Sequence, residues 1–588
     1  MTRATTTTDA PTADGTTTPL GFPVADRPGP LTELLGDPYA PDNPTGYEAA
    51  LAADDRGEPF AAGELVLDRA GLNAEYVPAA LGGRLSGVDA LVRGLRPVFR
   101  LDAGLGLGHG LTTLMAALNV WTAGDTAQRA RVARLLLDGG RLSVAYHELD
   151  HGNDLSDNSL RADPAPGGFT LHGEKRVINN TDRAAGAVVF ARTAPRGPRP
   201  TGRDHSLLLL DDLERLDTLP ADTFRRLPRL RTSGLAGCRL GGFAFDGCPV
   251  PADALLGGAG EGTSVALRSF QVSRCVTAGA GTALLEAALF GVHRFAAGRV
   301  LYGRPVSALP HARSLLAGAF ADLQIAGALA RAAARALHLY PAAAGRYAAT
   351  AKYLVPKLVE DALSDLAVLL GARSYLREGP YAFVGKHLRD IAGLSIGHAG
   401  GVSCQLTVLP ELPGLRLTGP PAGPELFDDS PPPPLDPAAL RLRGSREDPL
   451  LTVLAHALGA APRHPGLEPV AAGLRAELDS VLRESAALPP AARGVAAGHR
   501  ALELTERYAW LLAAAACVGT AARTGPSGGA VDPRWLHAVL ERIGRRSGRL
   551  AEPRDPAPLD VLFTELQDRV AAGLSLDIDP EPVARRPV

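Results

Sequence analysis

Apolar residues recur at three- and four-residue spacing from position 26 to about 140, as in AQRARVARLLLDGG. There Val132, Leu135 and Leu136 fall on one face and Gly139 offers a stop. The spacing predicts an N-terminal α-helical domain over 26–140. Between 141 and 258 the texture changes to short alternating runs, FTLHGEKRVINN, AGAVVFART, HSLLLLDD and GGFAFDG, cut by Gly, Pro and Asp. These predict a compact β domain. Long helical periodicity returns over 259–410, in GTALLEAALFGVHRFAAGR, SLLAGAFADLQIAGALARAAARALHLY and AKYLVPKLVEDALSDLAVLLGA. A proline-rich stretch over 411–436, in PGLRLTGPPAGPELFDDSPPPPLDP, then locks φ and removes donors, which predicts a linker running extended over the surface. Residues 437–588 form a further helical region to roughly Leu574 and end in a polar, proline-containing tail. No internal repeat is found.

With 588 residues the chain exceeds what one hydrophobic core supports, so two to four packed units are expected. The formal net charge of -2 gives no electrostatic case for nucleic acid or an anionic membrane surface as partner. Cys238, Cys248, Cys275, Cys404 and Cys517 show no C-x-x-C pair and no regular spacing, which indicates neither zinc nor a disulfide framework. A reducing, cytoplasmic compartment fits that usage. The opening segment, 1–25, lacks a basic n-region and an apolar h-region and reads as a disordered polar tail, not a signal peptide. AWLLAAAACVGTAA is too short to span a bilayer and reads as a buried helix, so no membrane span is expected.

Several words along the chain carry a family pattern. DAGLGLGHG with GDTAQRARVARLLLDGGR, AYHELDHGNDLSDNSLRA, FTLHGEKRVINNTDRAAGAVVFART, LRTSGLAGCRLGGFAFDGCPVPADALLG and FQVSRCVTAGAGTALLEAAL with RVLYGRPV occur in that order. Together, over roughly Leu34 to Leu409, the chain resembles the acyl-CoA dehydrogenase family. The resemblance implies an α+β, mostly α fold: an N-terminal helical domain, a small β-barrel middle domain and a C-terminal four-helix bundle. Residues 437–588 would be an additional C-terminal helical domain, of the kind long-chain members and acyl-CoA oxidases carry. It further implies FAD as cofactor, an acyl-CoA or acyl-carrier-protein substrate, and a homodimer or homotetramer. Carried over by position, Tyr146, His147, Gly152 and Asn153 fall where the family meets the isoalloxazine. Val177 and Asn179 fall where an aromatic shields the ring and a hydroxyl bonds flavin N5. Arg299 falls at the FAD pyrophosphate, Val368 and Gly371 on the adenine side, and Arg274 at the substrate.

The same resemblance exposes a gap. The family's base follows R-D in an I-Y-E-G-T word, whereas Arg389-Asp390 leads here to Ile396-Gly397-His398-Ala399-Gly400. The alternative carboxylate on the first bundle helix is also missing, since Ser273-Arg274 stands there. His398 is the candidate base, because an imidazole with pKa ~6.5 is neutral and able to accept a proton at cytosolic pH. Asp390, Glu378 and Asp322 read as helix caps or as partners of Arg389 and Arg377. Three functions follow: α,β-desaturation of an acyl thioester, flavin-dependent oxygenation on the same fold, or a scaffold without turnover. HELDH, at 147–151, matches the H-E-x-x-H zinc word, but Gly152-Asn153-Asp154 would break the helix both ligands need, so no metal site is expected. GLGLGHG fits no dinucleotide-binding register and reads as a helix packed closely on a neighbour.

Overall fold

A computed structural model of the chain describes residues 29–152, 154–197, 200–397, 399–460, 466–523, 532–548 and 557–583. The expected N-terminal helices are α1 (Tyr47–Arg56), α2 (Ala61–Arg69), α3 (Val88–Leu101), α4 (Thr112–Ala123) and α5 (Thr126–Leu137). A reciprocal capping box between Asp125 and Gln128 starts α5, and the Gln128 amide also donates to the carbonyls of Asp253 and Leu255. That cap therefore fastens the helix to the β domain. GLGLGHG becomes a π-helical turn, Gly106–Leu111, between α3 and α4. A Cβ on Gly106 would collide with Phe99 and one on Gly110 with the Tyr76 hydroxyl, so close approach explains both glycines.

The β domain contains β1 (Leu142–Ala145), β2 (Arg161–Ala165), β3 (Gly168–Ile178), β4 (Gly186–Arg192), β5 (His205–Leu210), β6 (Phe224–Leu227), β7 (Gly241–Pro251) and β8 (Leu255–Leu256). They form a mixed sheet in the order β6-β7-β3-β2-β4-β5-β8, with β1 added parallel to β4. Where a barrel was expected, the described strands trace an open path whose end strands pair only with β7 and β5. Leu171, Ile178, Val189, Phe243 and Phe245 give it a core of its own.

Helices α6 (Gly262–Gly298), α7 (Pro310–Leu339), α8 (Ala344–Leu370) and α9 (Ala382–Ile396) pack together, with the short α10 (Gly401–Val408) on α8. Both α6 and α7 are long and apolar enough to cross a bilayer, yet their apolar windows are 100% and 94% buried against other helices. Beyond them lie α11 (Pro449–Gly459), α12 (Leu467–Ala487), α13 (His499–Ala522), α14 (Pro533–Arg546) and α15 (Ala557–Ala571). AWLLAAAACVGTAA lies on α13 and is buried, as expected. Helices α13, α14 and α15 cover α7, and their apolar side chains join one continuous core with the bundle and the N-terminal helices.

Two segments differ from their sequence reading. The proline-rich stretch is pinned: Arg335 of α7 donates to the carbonyls of Glu425 and Ser430, and Leu426 and Phe427 are buried. The polar tail turns inward, where Leu576 is fully buried, its N–H on Glu286 (2.8 Å) and its carbonyl on Gln324 (2.8 Å).

Candidate active site

The loop leaving β1 is built around buried contacts. Tyr146 turns inward between Phe190 and Phe270, and its hydroxyl donates to Asn119 Oδ1 (2.6 Å). Glu148 accepts from Lys175 Nζ (2.7 Å), Ser159 N–H (2.8 Å) and Leu160 N–H (3.0 Å). Burial alone would raise the Glu148 carboxyl, but the Lys175 ammonium and those N–H groups outweigh it and hold it down at about 2. Lys175, on β3, also donates to Tyr146 O and to Asn158, so one ammonium clamps the loop to the strand. His147 O accepts from Arg176 N–H (3.2 Å), while His147 Nδ1 is buried without a partner among the described residues.

At that point β3 bulges, and Val177 takes a left-handed φ of 58°, which a β-branched residue rarely adopts. Asn179 follows. Its Nδ2 donates to Thr112 Oγ1 (2.9 Å), its Oδ1 accepts from Arg239 N–H (2.8 Å), and its carbonyl accepts from Ser143 Oγ (2.7 Å). The carboxamide thus joins β3 to α4 and to the β6–β7 loop. Gly152 lies in the turn that closes the loop, its N–H on Glu148 O (3.1 Å), whereas Asn153 lies outside the described residues. No zinc helix forms: Glu148 is committed to Lys175, His151 pairs with Asp157 (3.2 Å), and the described residues contain no group of three metal-ligating side chains.

A second buried knot fixes the foot of α9. Lys386 Nζ lies 2.5 Å from Asp390 and 3.0 Å from Asp102, and Asp390 also accepts the Leu235 N–H (2.6 Å). Three units meet there: the N-terminal helices, the β6–β7 loop and the bundle. Asp390 therefore pairs with Lys386, while the arginines read as its partners go elsewhere, Arg389 to Asp54 (2.6 Å) and Arg377 to Asp55 (2.7 Å). Asp322 is held by Arg542 and Arg546 of α14, and Glu378 is exposed.

His398 lies outside the described residues, but its flanks do not. Lys352 of α8 donates to Leu394 O (2.7 Å) and Ser395 O (3.2 Å), capping α9 immediately before the histidine; burial pushes this lysine down to about 8. Arg274 on α6 is 3% exposed, lies over the Phe270 ring (5.9 Å) and has no ion pair among the described residues. Arg299 and Arg373 both lie over Phe295 (5.6 Å each), which brings the Arg299 end of α6 beside the 368–373 end of α8. Val368 is exposed there, and Gly371 caps α8 with φ 57°.

Part of the chain is similar to known proteins. A family profile described as "Acyl-CoA dehydrogenase, C-terminal domain" covers residues 260–405. An acyl-CoA dehydrogenase of Bacillus subtilis is 27% identical over 321 residues, spanning 54% of this chain and 81% of that protein. The chain is similar to acyl-CoA dehydrogenases over these spans. Butyryl-CoA dehydrogenase from Megasphaera elsdenii shares the fold, with a TM-score of 0.57 at 21% identity over 64% of this chain and 96% of that one. So does PigA, solved as an FAD complex, with a TM-score of 0.56 at 17% identity over 62% and 93%. Sequence reasoning named residues in the loop after β1 and in strand β3 but missed Lys175, Lys352 and Lys386. The signal was there: these three and Lys357 are the only lysines, in a chain rich in arginine.

Proposed function

We propose that the protein is an FAD-dependent oxidoreductase that desaturates an acyl thioester carried by CoA or a carrier protein. The observation that carries this is the junction of His147 and Val177, where a buried imidazole nitrogen without a partner among the described residues lies beside a bulged strand joined by the Arg176 N–H to His147 O bond. His147, Gly152 and the backbone at Tyr146 and Val177 would hold the isoalloxazine. Arg299, exposed and without an ion pair among the described residues, suits a pyrophosphate, with Val368 and Gly371 beside it. Asn179 would exchange one of its present amide partners to reach the ring. When bound, FAD supplies an acceptor for two electrons and the β hydrogen. His398 would take the α proton, and Lys352 would fix the segment that carries it.

The residues 391–403 contain no Asp or Glu, and this favours one second reading, oxygenation at the flavin without an α-proton base. Exposed Tyr302 and Tyr375, both 91%, flank the Arg299 end and support a homo-oligomer that completes the cofactor site.

Absorbance of the purified protein tests the cofactor: a colourless preparation that FAD does not reconstitute overturns both readings. Anaerobic mixing with acyl thioesters tests the reaction. Bleaching without reductant supports desaturation, whereas oxygen consumption that requires NAD(P)H or a reductase supports oxygenation. An unchanged bleaching rate in His398→Ala removes His398 as base.

A further inference from the structure

A cavity of about 860 Å³ opens between the start of α6, the start of α8, α10 and the segment Leu442–Arg446, within the size range of small-molecule sites. Its lining is basic. Arg274 stands in the wall, 97% buried by the complement of its 3% exposure, with Nε unpartnered and no carboxylate on its guanidinium among the described residues. Gln271, one turn earlier, has a buried Oε1 that is likewise unpartnered. Arg443 and Arg446 are exposed at the rim and carry no ion pair among the described residues, while Arg493 gives its donors to Leu488 O. The one acidic lining residue, Glu411, is committed to Arg346 (2.6 Å) and the Gly444 N–H (2.9 Å).

A guanidinium taken out of water without a counter-charge is destabilising, and the described residues supply none. Lys352, also buried and bonded only to carbonyls, adds a second positive charge nearby. We propose that this cavity binds an oxyanion of the thioester substrate on Arg274, drawn in by Arg443 and Arg446. The segment after the bundle, outside the matched residues 260–405, thereby becomes part of the substrate site. This rests on the thioester reading above. The oxyanion has two chemical sources: the phosphate of a phosphopantetheine arm, or a carboxylate at the far end of the acyl group.

Calorimetric titration of the FAD-loaded protein separates them. CoA and 4′-phosphopantetheine are compared with phosphate-free pantetheine, and N-acetylcysteamine thioesters of a dicarboxylic acid with those of a monocarboxylic acid. The proposal expects at least a tenfold affinity advantage for the anionic member of one pair, reduced about tenfold or more in Arg274→Met. The fold-safe double variant Arg443→Ser/Arg446→Ser should weaken binding and flatten its dependence on salt. Arg274→Met should also melt higher than the parent, because an uncompensated buried charge is gone. Equal affinity within both pairs, or variants that bind as the parent does, overturns the proposal. Flavin bleaching with no anion preference would sink this inference and leave the oxidoreductase reading standing, whereas a colourless protein that FAD does not reconstitute overturns that reading.

Discussion

Glu148 and Lys175 show what a single pair does in this protein. Neither is exposed enough for water to replace the other, so removing one leaves a buried charge alone. Glu148→Gln should lower stability by about 3–5 kcal/mol, measured by urea unfolding, and should loosen the loop that carries His147. The pair also sets an acid limit. The Glu148 carboxyl is held at about 2 in the folded chain against its ordinary 4.5, so the unfolded chain binds the extra proton first. The stabilisation is present above about 4.5 and is lost as pH falls from there towards 2. Melting temperature followed across that window should drop in the parent and drop less in Glu148→Gln. Scarce lysine was an unread signal for such sites: three of the four lysines, Lys175, Lys352 and Lys386, are buried where a compact point charge bonds carbonyls or carboxylates. Their partners were not legible. Asp102 and Asp390 meet at Lys386 although they lie far apart in the chain, and no local pattern encodes a contact across that separation.

Among the elements, helices followed their periodicity closely, because a buried stripe repeats within each one. The proline-rich stretch did not follow its composition. Proline content reports that a segment lacks regular structure, but not that Arg335, 90 residues away, takes up its carbonyls. Phe427 illustrates the result: a Cβ on Gly519 of α13 would strike its ring. Gly519→Val should therefore cost about 1–3 kcal/mol by overpacking, and Phe427→Ala about 3–5 kcal/mol by leaving a void, both read by thermal melts. The tail behaves similarly. Asp577 lies 3.1 Å from Arg96, and Leu576 lies between α6 and α7. Removing residues after Leu574 should lower the melting temperature markedly while leaving far-UV helicity close to the parent's.

For the molecule as a whole, the continuous core means that residues 437–588 are not a detachable appendage. A chain ending at 436 would expose the face of α7 that α13, α14 and α15 cover, and should be recovered mainly as aggregate. If instead it is soluble and melts like the full chain, the shared core contributes little. Assembly is the other prediction at this scale. Tyr302→Ser with Tyr375→Ser should shift sedimentation towards a smaller species and lower flavin occupancy together. Sequence words placed the units in order, but the sheet's open path and the shared helical core depend on pairings between distant segments, which composition does not record.

The N–H of Leu576 reaches a carboxylate made 290 residues earlier. During synthesis, then, the bundle, whose last long helix ends at Ile396, waits with Glu286 and Arg96 already inside while the residues up to Leu576 leave the ribosome, at ~5–20 residues per second. For that interval its charged interior lacks its last ligand, and the nascent chain should depend on chaperones most strongly just before this closing segment emerges.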